Sequence, residues 1–361
     1  MAYSGSTNFS ANSFGAGATN YTGEVLQDLI TYAAQENETY KEGLIHIKSG
    51  IQKRYTLPGV SLGEIIQDRV ATPVSPTNSK GTFQFSERYL EPNDFMIYTE
   101  FDPRDMENYY KPFQPVGPLV FRTLDPKVQA TMIRLILSGK DGYVNHAIWC
   151  SASATQKAKI ATTSQAQGAT SDIGANDAAG PMKYFEGAIC RMLMNANATS
   201  GSEDANSGKV QLAGTGQFAS GQAVHTELYA MWTKVPAHLR KKPGLKILMD
   251  YATWDKYDLY MSENHHKYSD DRKENEHMFH GKRIVPLTSL PEDTIIIGNF
   301  TTGPDSNLWM GIDYANDEDI LQIDKLQANS ELYFFKALMK MDVNIVRPSE
   351  IVAHLPFTYT P

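Results

Sequence analysis

Four histidines between residues 265 and 280 form the cluster in this sequence that most suggests chemistry. They are His265, His266, His277 and His280, and the acidic residues Asp270, Asp271, Glu274 and Glu276 lie between them. Imidazole nitrogens and carboxylate oxygens are common ligands of zinc. No HExxH pattern or cysteine pair accompanies them, and residues 264–276 are almost wholly polar. The pattern favours a solvated, charged loop, with a metal site as the alternative.

A glycine-rich segment at residues 214–219 is a second candidate site. Gly214-Thr-Gly216-Gln-Phe-Ala219 matches the G-x-G-x-x-A pattern that lets a backbone approach a dinucleotide pyrophosphate. The strand-like stretch before it, residues 210–213, is short and lies within a loop of small residues. A flexible hinge is therefore favoured over a dinucleotide site. No G-x-x-x-x-G-K-[ST] motif occurs, which excludes an NTPase of that type.

Candidate nucleophiles and acid–base pairs are weak. Cys150 follows His146 by four residues on a predicted helix, which indicates packing rather than a nucleophile and its base. Four carboxylates are typical of a short acidic turn between strands: Asp313, Asp317, Glu318 and Asp319. We therefore predict that the chain is not an enzyme, has no catalytic residue and uses no cofactor or metal.

Length, net charge and composition exclude several classes of protein. The 361 residues predict two to three folding units, and 33 Lys and Arg against 41 Asp and Glu give a net charge of −8. An acidic chain lacks the basic surface of a DNA reader. No run of 18 apolar residues occurs that could span a bilayer. The two cysteines, Cys150 and Cys190, predict buried thiols in a reducing cytoplasm.

The first elements along the chain are an arm and a ribbon. Residues 1–22 are rich in small polar residues without periodicity, which indicates a mobile terminus or an arm that lies along another surface. A short amphipathic helix is predicted from Glu24 to Ala33. Apolar residues then alternate with polar ones in strand fashion at Phe83, Phe85, Tyr89, Phe95, Ile97 and Phe101. Because a two-stranded ribbon is marginally stable alone, these residues must pack on their own domain or on a neighbouring chain.

A long helix and a second α/β unit follow. Asp125-Pro126 predicts a helix start, and the helical pattern continues to about Cys150. Long loops of small residues are predicted at 151–181 and 195–221. The later helices are predicted from about Gln222 to Val235 and around Trp254 to Met261, and the later strands at 245–249, 283–287, 294–297, 308–312 and 332–346.

In the order of its predicted elements and in its residue patterns, the chain resembles the major capsid proteins of tailed bacteriophages, which have the Hong Kong ninety-seven fold. The resemblance covers about residues 24–355. It rests on Phe185-Glu-Gly187, on Trp232-Thr-Lys-Val-Pro236, on Leu245-Lys-Ile-Leu-Met-Asp250 with Trp254 and Tyr257, on Phe279-His-Gly281-Lys-Arg-Ile284-Val-Pro286, on Pro291-Glu-Asp-Thr-Ile295, on Asn307-Leu-Trp-Met-Gly311-Ile-Asp313, on Tyr333-Phe334-Phe335 and on Arg347-Pro348-Ser-Glu350.

The resemblance implies an α+β fold with four parts. They are an N-terminal arm (1–56), an extended β-hairpin called the E-loop (57–112), a P-domain with a long spine helix (113–155 and 305–345), and an A-domain (156–304 and 346–361). It also implies that the arm and ribbon carry contacts between subunits. The predicted anchors are Phe9, Phe14, Phe83, Phe85, Tyr89, Phe95, Ile97 and Phe101.

The implied function is that of a structural major capsid protein. The chain would self-assemble into pentamers and hexamers of an icosahedral head that encloses double-stranded DNA without sequence-specific binding. Implied partners are further copies of the chain and the portal, scaffold and possible decoration proteins of the same phage, with no membrane. The implied location is the virion, after assembly in the bacterial cytoplasm. A nanocompartment shell of the encapsulin type is the alternative, and a metal-dependent hydrolase using the histidine cluster is a remote one.

Overall fold

A computed structural model describes most of the chain. The described residues are 19–21, 38–62, 66, 69, 83–101, 142–162, 173, 184–198, 208–264, 278–313, 321–327 and 332–361. The predicted helix at Glu24 to Ala33 and the first part of the predicted long helix lie outside these residues. The end of that long helix is described, because residues 142–150 are helical.

Among the described residues, strands outnumber helices. The helices are α1 (Glu38–Lys41), α2 (142–150), α3 (Ala154–Lys157), α4 (Ala188–Ala196), α5 (Gly221–Lys234), α6 (Ala237–Arg240) and α7 (Tyr251–Asn264). The strands are β1 (Thr19–Tyr21), β2 (His46–Ser49), β3 (Tyr55–Leu62), β4 (Phe83–Leu90), β5 (Asn93–Phe101), β6 (Ile160–Thr162), β7 (Gln211–Leu212), β8 (Leu245–Asp250), β9 (Met278–Phe279), β10 (Lys282–Leu287), β11 (Ile295–Asn299), β12 (Leu308–Asp313), β13 (Leu321–Lys325), β14 (Tyr333–Ile345), β15 (Val352–His354) and β16 (Phe357–Tyr359).

The chain divides into two compact units. The first draws on Met1–Asn37, Asp94–Val144 and Asp313–Lys340, and the second on Glu38–Asn93, Asn145–Ile312 and Met341–Pro361. Within the first unit, β13 pairs antiparallel with both β1 and β14, and β5 pairs with β14. The four-part domain division implied by the resemblance stays a prediction.

The second unit contains a six-stranded α/β sheet. Its strand order is β7-β15-β11-β8-β10-β9. The central strand β11 is buried at every residue, and its sequence Ile-Ile-Ile-Gly-Asn suits a strand covered on both faces. The sheet and the two long helices α5 and α7 share one core of sixteen buried residues, which includes Leu228, Ile247, Tyr257 and Ile297.

Helix α5 shows how local sequence sets these elements. The Ser220 side chain accepts a hydrogen bond from the backbone N–H of Ala223 at 3.4 Å, which caps the helix N-terminus. Val224, Leu228 and Met231 recur at helical spacing and are all buried. The helix ends just before Pro236, which lies outside it and cannot donate a backbone hydrogen bond. The prediction of this helix, and of α7 and the strands that follow, is confirmed.

A β-hairpin projects from the second unit. Strand β3 pairs antiparallel with β4 in a continuous register from Tyr55 opposite Leu90 to Leu62 opposite Phe83. Its root packs on a small cluster of buried apolar side chains, Ile51, Leu57 and Leu90. Apart from Tyr55 and Thr56, this hairpin lies within the region predicted as the E-loop, residues 57–112. Strand β5, which was predicted to belong to the same ribbon, pairs instead with β14.

Candidate assembly interface

The predicted contact residues fall into three places. Phe9 and Phe14 lie outside the described residues. Phe83, Phe85 and Tyr89 lie on β4 of the hairpin, and Phe95, Ile97 and Phe101 lie on β5. The structure therefore brings together the three residues of each strand but does not join the six into one ribbon. Their role as anchors between subunits stays a prediction.

On β4 the three aromatic residues stand at odd-numbered positions of one strand, opposite Leu62, Val60 and Thr56 of β3. Tyr89, at the root, is half-buried by its own chain. The guanidinium of Arg54 lies over its ring, 3.4 Å from the ring centroid, and Arg54 Nε also pairs with Glu91 at 2.7 Å. The Tyr89 ring at the hairpin root is therefore already held by an intramolecular cation–π contact.

On β5 the two faces have different environments. Phe95 is only 7% exposed, whereas its neighbours Met96 and Tyr98 are exposed. The Tyr98 ring stacks on Phe334 with centroids 6.0 Å apart, and Phe101 stacks on Tyr333 at 6.1 Å. The sequence prediction chose the odd-numbered residues and missed Met96 and Tyr98. Strict alternation could have identified them only if the solvent side of the strand had been known.

A buried charged network fixes the turn between β4 and β5 to the rest of the second unit. The Glu91 N–H donates to Asp342 Oδ2 at 2.8 Å, and the Val343 N–H donates to Asp342 Oδ1 at 2.8 Å. Arg191 Nη2, from α4, lies 3.3 Å from the same Oδ1 and 3.4 Å from Glu186. One carboxylate therefore joins the hairpin root, β14 and α4.

Next to this network, two side-chain amides donate hydrogen bonds to backbone carbonyls. Asn344 Nδ2 donates to the Tyr89 carbonyl at 2.7 Å, and Asn93 Nδ2 donates to the Tyr184 carbonyl at 2.8 Å. Both Asn344 and Asp342 lie on β14 and are buried. Several backbone groups at the hairpin root are therefore hydrogen-bonded to side chains.

We expect Asp342 to make the stability of the unassembled chain depend on pH. Burial raises the pKa of its carboxyl from 3.8 to about 6, although Arg191 and two backbone donors favour the charged form. The folded chain then keeps this proton at pH values where the unfolded chain has lost it. The free energy of unfolding should therefore fall by about 3 kcal/mol as pH rises from about 4 to above 6.

Urea unfolding of the full chain between pH 4 and pH 8 measures this effect. The Asp342→Asn variant is the control, because it carries no titrating group at this position. Its pH profile should lack the decrease that the native chain shows. Profiles of equal slope for the two chains would show that Asp342 does not titrate as described.

The residues that first suggested chemistry have structural surroundings where they are described. Gly214 packs so closely on His354 that an added Cβ would lie 2.8 Å from its Nδ1, and Phe218 stacks on the same ring at 4.4 Å. His354 Nε2 also lies 2.8 Å from the Gly216 carbonyl. The glycine-rich segment is thus packed around an imidazole of β15. Whether it acts as a hinge stays a prediction.

The histidine cluster is described only at His280, whose ring stacks on Trp232. His265, His266 and His277 lie outside the described residues. Within the described parts of the chain, no three His, Cys, Asp or Glu side chains are grouped as a metal site would require.

Cys150 and Cys190 are both fully buried, as predicted, and Cys150 lies 3.6 Å from the Ser289 carbonyl. Over the same described parts, no helix has the length and apolar character of a membrane span.

Comparison with known proteins gives a match in structure and none in sequence. No protein-family model and no curated protein matches the chain. The cyanophage A-1(L) capsid asymmetric unit matches with a TM-score of 0.54 and 12% identity, over 88% of this chain and 92% of that chain. The capsid of the native GTA particle matches with a TM-score of 0.50 and 11% identity, over 90% of each chain. The chain therefore has the α+β fold of phage capsid proteins, the Hong Kong ninety-seven fold, as its resemblance in sequence implied.

Proposed function

We propose that this chain is the major capsid protein of a tailed bacteriophage. It self-assembles into pentamers and hexamers of an icosahedral head that encloses double-stranded DNA, and its role is structural, without catalysis. The observation that carries this proposal is the capsid fold, which spans about nine-tenths of this chain and of the two capsid chains it matches. Fold alone does not define function, so the assembly has to be tested directly.

The hairpin supports a role in assembly on physical grounds. Among the described residues, β3 and β4 pair only with each other, and their apolar cluster lies at the root. A two-stranded hairpin has little stability of its own in water. A neighbouring subunit that covers the far part of the hairpin supplies the missing contacts, and many such modest contacts together stabilise a closed shell.

The net charge supports an interior that contains DNA without holding it. A net charge of −8 gives the chain as a whole no attraction for DNA phosphates, because like charges repel. Packaged DNA is therefore enclosed without sequence-specific contacts. We propose that portal, scaffold and possible decoration proteins of the same phage are further partners, and that assembly in the bacterial cytoplasm leads to the virion.

Expression of the full chain tests the proposal most directly. Size-exclusion chromatography followed by negative-stain electron microscopy should show closed shells, alone or after coexpression with neighbouring phage genes. A chain that stays monomeric at high concentration in both settings would argue strongly against a capsid role.

The aromatic residues of β4 provide a prediction about assembly that can be tested by substitution. Replacing Phe83 and Phe85 together by serine should raise the protein concentration needed for assembly by at least about tenfold, because aromatic anchors dominate interface energies. Light scattering against protein concentration measures the change, and thermal unfolding checks that the chain remains folded. Replacing Gln84 and Ser86 by alanine is the matched control, because these residues alternate with Phe83 and Phe85 along the same strand. Equal assembly by both variants would remove Phe83 and Phe85 from the interface.

A further inference from the structure

An exposed aromatic patch lies where α5 meets the turn between β9 and β10. The patch consists of Tyr229, Trp232, Met278 and His280, and we call it the α5–hairpin patch. Tyr229 is 56% exposed and Met278 is 52% exposed. The His280 ring stacks on Trp232 with centroids 5.2 Å apart and planes 8° apart, and it lies 6.2 Å from Tyr229. Tyrosine, tryptophan and methionine are the residue types enriched at protein–protein interfaces.

The backbone holds this patch in place at a conformational cost. His280 and Gly281 form a two-residue turn with φ angles of +48° and +73°. Glycine adopts such angles freely, but a histidine in this region of φ is uncommon. The imidazole of His280 stacks on Trp232 in the free chain. The two rings are therefore already ordered against each other, and covering them with a partner costs little further side-chain entropy.

A second exposed surface with different chemistry lies on α7. Tyr251, Asp255, Leu259 and Glu263 recur every four residues along the helix, and we call this row the outer face of α7. All four are exposed, and Leu259 is 61% exposed, whereas Trp254 and Tyr257 of the same helix are buried in the core. A leucine flanked by two carboxylates at i−4 and i+4 forms an apolar spot with an acidic border.

The two surfaces are complementary in charge. Basic side chains lie near the α5–hairpin patch, since the Arg240 guanidinium lies 5.4 Å from the Trp232 ring centroid and Lys282 Nζ donates to the carbonyl of Lys242, two residues after Arg240. Asp255 and Glu263 border the apolar spot on α7. An apolar centre surrounded by opposite charges on the two sides is the arrangement that specifies partner and register.

We propose that the α5–hairpin patch of one copy binds the outer face of α7 of a neighbouring copy. Such a contact is heterologous, because each copy offers one surface to each of two neighbours, and it generates a ring when the rotation closes. This inference rests on the proposed function and assigns the residues that join subunits through the second unit. It places Leu259 against Tyr229 and Met278, with Asp255 and Glu263 toward Arg240 and Lys282.

Disulfide trapping tests the contact. The double variant Tyr229→Cys with Leu259→Cys should give, after mild oxidation, a ladder of disulfide-linked oligomers on a non-reducing gel. Each single variant alone should stay monomeric, and an equimolar mixture of the two single variants should stop at the dimer. The native Cys150 and Cys190 do not interfere, because both are fully buried.

Charge substitution at one position provides an independent measurement. Leu259→Arg should raise the protein concentration needed for assembly at least about tenfold more than Leu259→Glu does, because the arginine faces a basic border and the glutamate does not. Both side chains favour helices, so folding should be equal in the two variants.

The outcomes separate this inference from the proposed function. A missing ladder together with equal assembly of the two Leu259 variants overturns the inference, even if microscopy shows shells. Dimers from either single cysteine variant also overturn it, because a surface that meets itself is not heterologous. Absence of shells from the native chain counts against the proposed function, whereas the ladder can still form in isolated rings.

Discussion

Replacing Asp342 by alanine is expected to lower the free energy of unfolding by about 1 to 3 kcal/mol at pH 5, below the pKa of about 6 that burial gives the folded carboxyl. The substitution leaves a gap at a buried position of β14, beside the largely buried guanidinium of Arg191. It also removes the acceptor of the Glu91 and Val343 N–H groups. Urea unfolding of the full chain measures the change. Because Glu91 lies at the hairpin root, assembly should weaken as well.

Two further variants test whether the effect of Asp342→Ala arises because this side chain is buried beside Arg191. Asp94→Ala breaks an exposed pair with Lys340 and should cost less than about 1 kcal/mol. Replacing Asp342 and Arg191 together by leucine should recover much of the loss, because apolar pairs often replace buried ion pairs at little cost. If Asp94→Ala and Asp342→Ala destabilised the chain equally, the network would not hold the hairpin root as described.

Gly221→Ala is expected to destabilise the second unit by about 3 kcal/mol. The first residue of α5 lies against α7, and an added Cβ would be 2.1 Å from the Lys256 carbonyl oxygen and 2.5 Å from the Tyr260 Cβ. Neither neighbour is the free end of a flexible side chain, so the two helices must move apart to make room. Such overpacking commonly costs this much. Thermal unfolding of the full chain, followed by circular dichroism, measures it.

Gly216→Ala is the matched control for this effect. Gly216 lies five residues earlier, and an added Cβ would meet no atom within 4 Å. We expect its stability to stay close to that of the native chain, or to rise slightly because alanine restricts the unfolded state. A loss at position 216 as large as that at position 221 would show that backbone flexibility, rather than close helix packing, explains the Gly221 effect.

The second half of the chain shows how far periodicity predicts structure. The helix from about Gln222 is confirmed as Gly221–Lys234, and the strand at 294–297 is confirmed within Ile295–Asn299. These segments combine a strong apolar period with clear end signals such as Ser220 and Pro236, so local sequence and tertiary packing agree. The contact residues on β4 and β5 were less predictable, because their partners are distant in sequence.

Strand β5 illustrates the limit. Alternation shows that residues 95, 97 and 101 lie on the opposite face of the strand from residues 96 and 98. It does not show which face is exposed to solvent. The pairing of β5 with β14 decides this, and it buries Phe95 while Met96 and Tyr98 stay exposed. The same applies to Asp342, whose sequence neighbours do not indicate that it joins Glu91 and Arg191.

By itself, the sequence determined the order and type of the strongly periodic elements, the burial of the two cysteines and an acidic, α+β protein of capsid-like pattern. Those properties depend on residues close together in the chain. Only the tertiary structure decided which strand pairs with β3, which carboxylate anchors the hairpin, and that Tyr229, Trp232 and His280 form one surface. These depend on contacts between residues that are distant in sequence, from Leu62 opposite Phe83 to Glu91 bonded to Asp342. A one-dimensional period carries no information about such contacts.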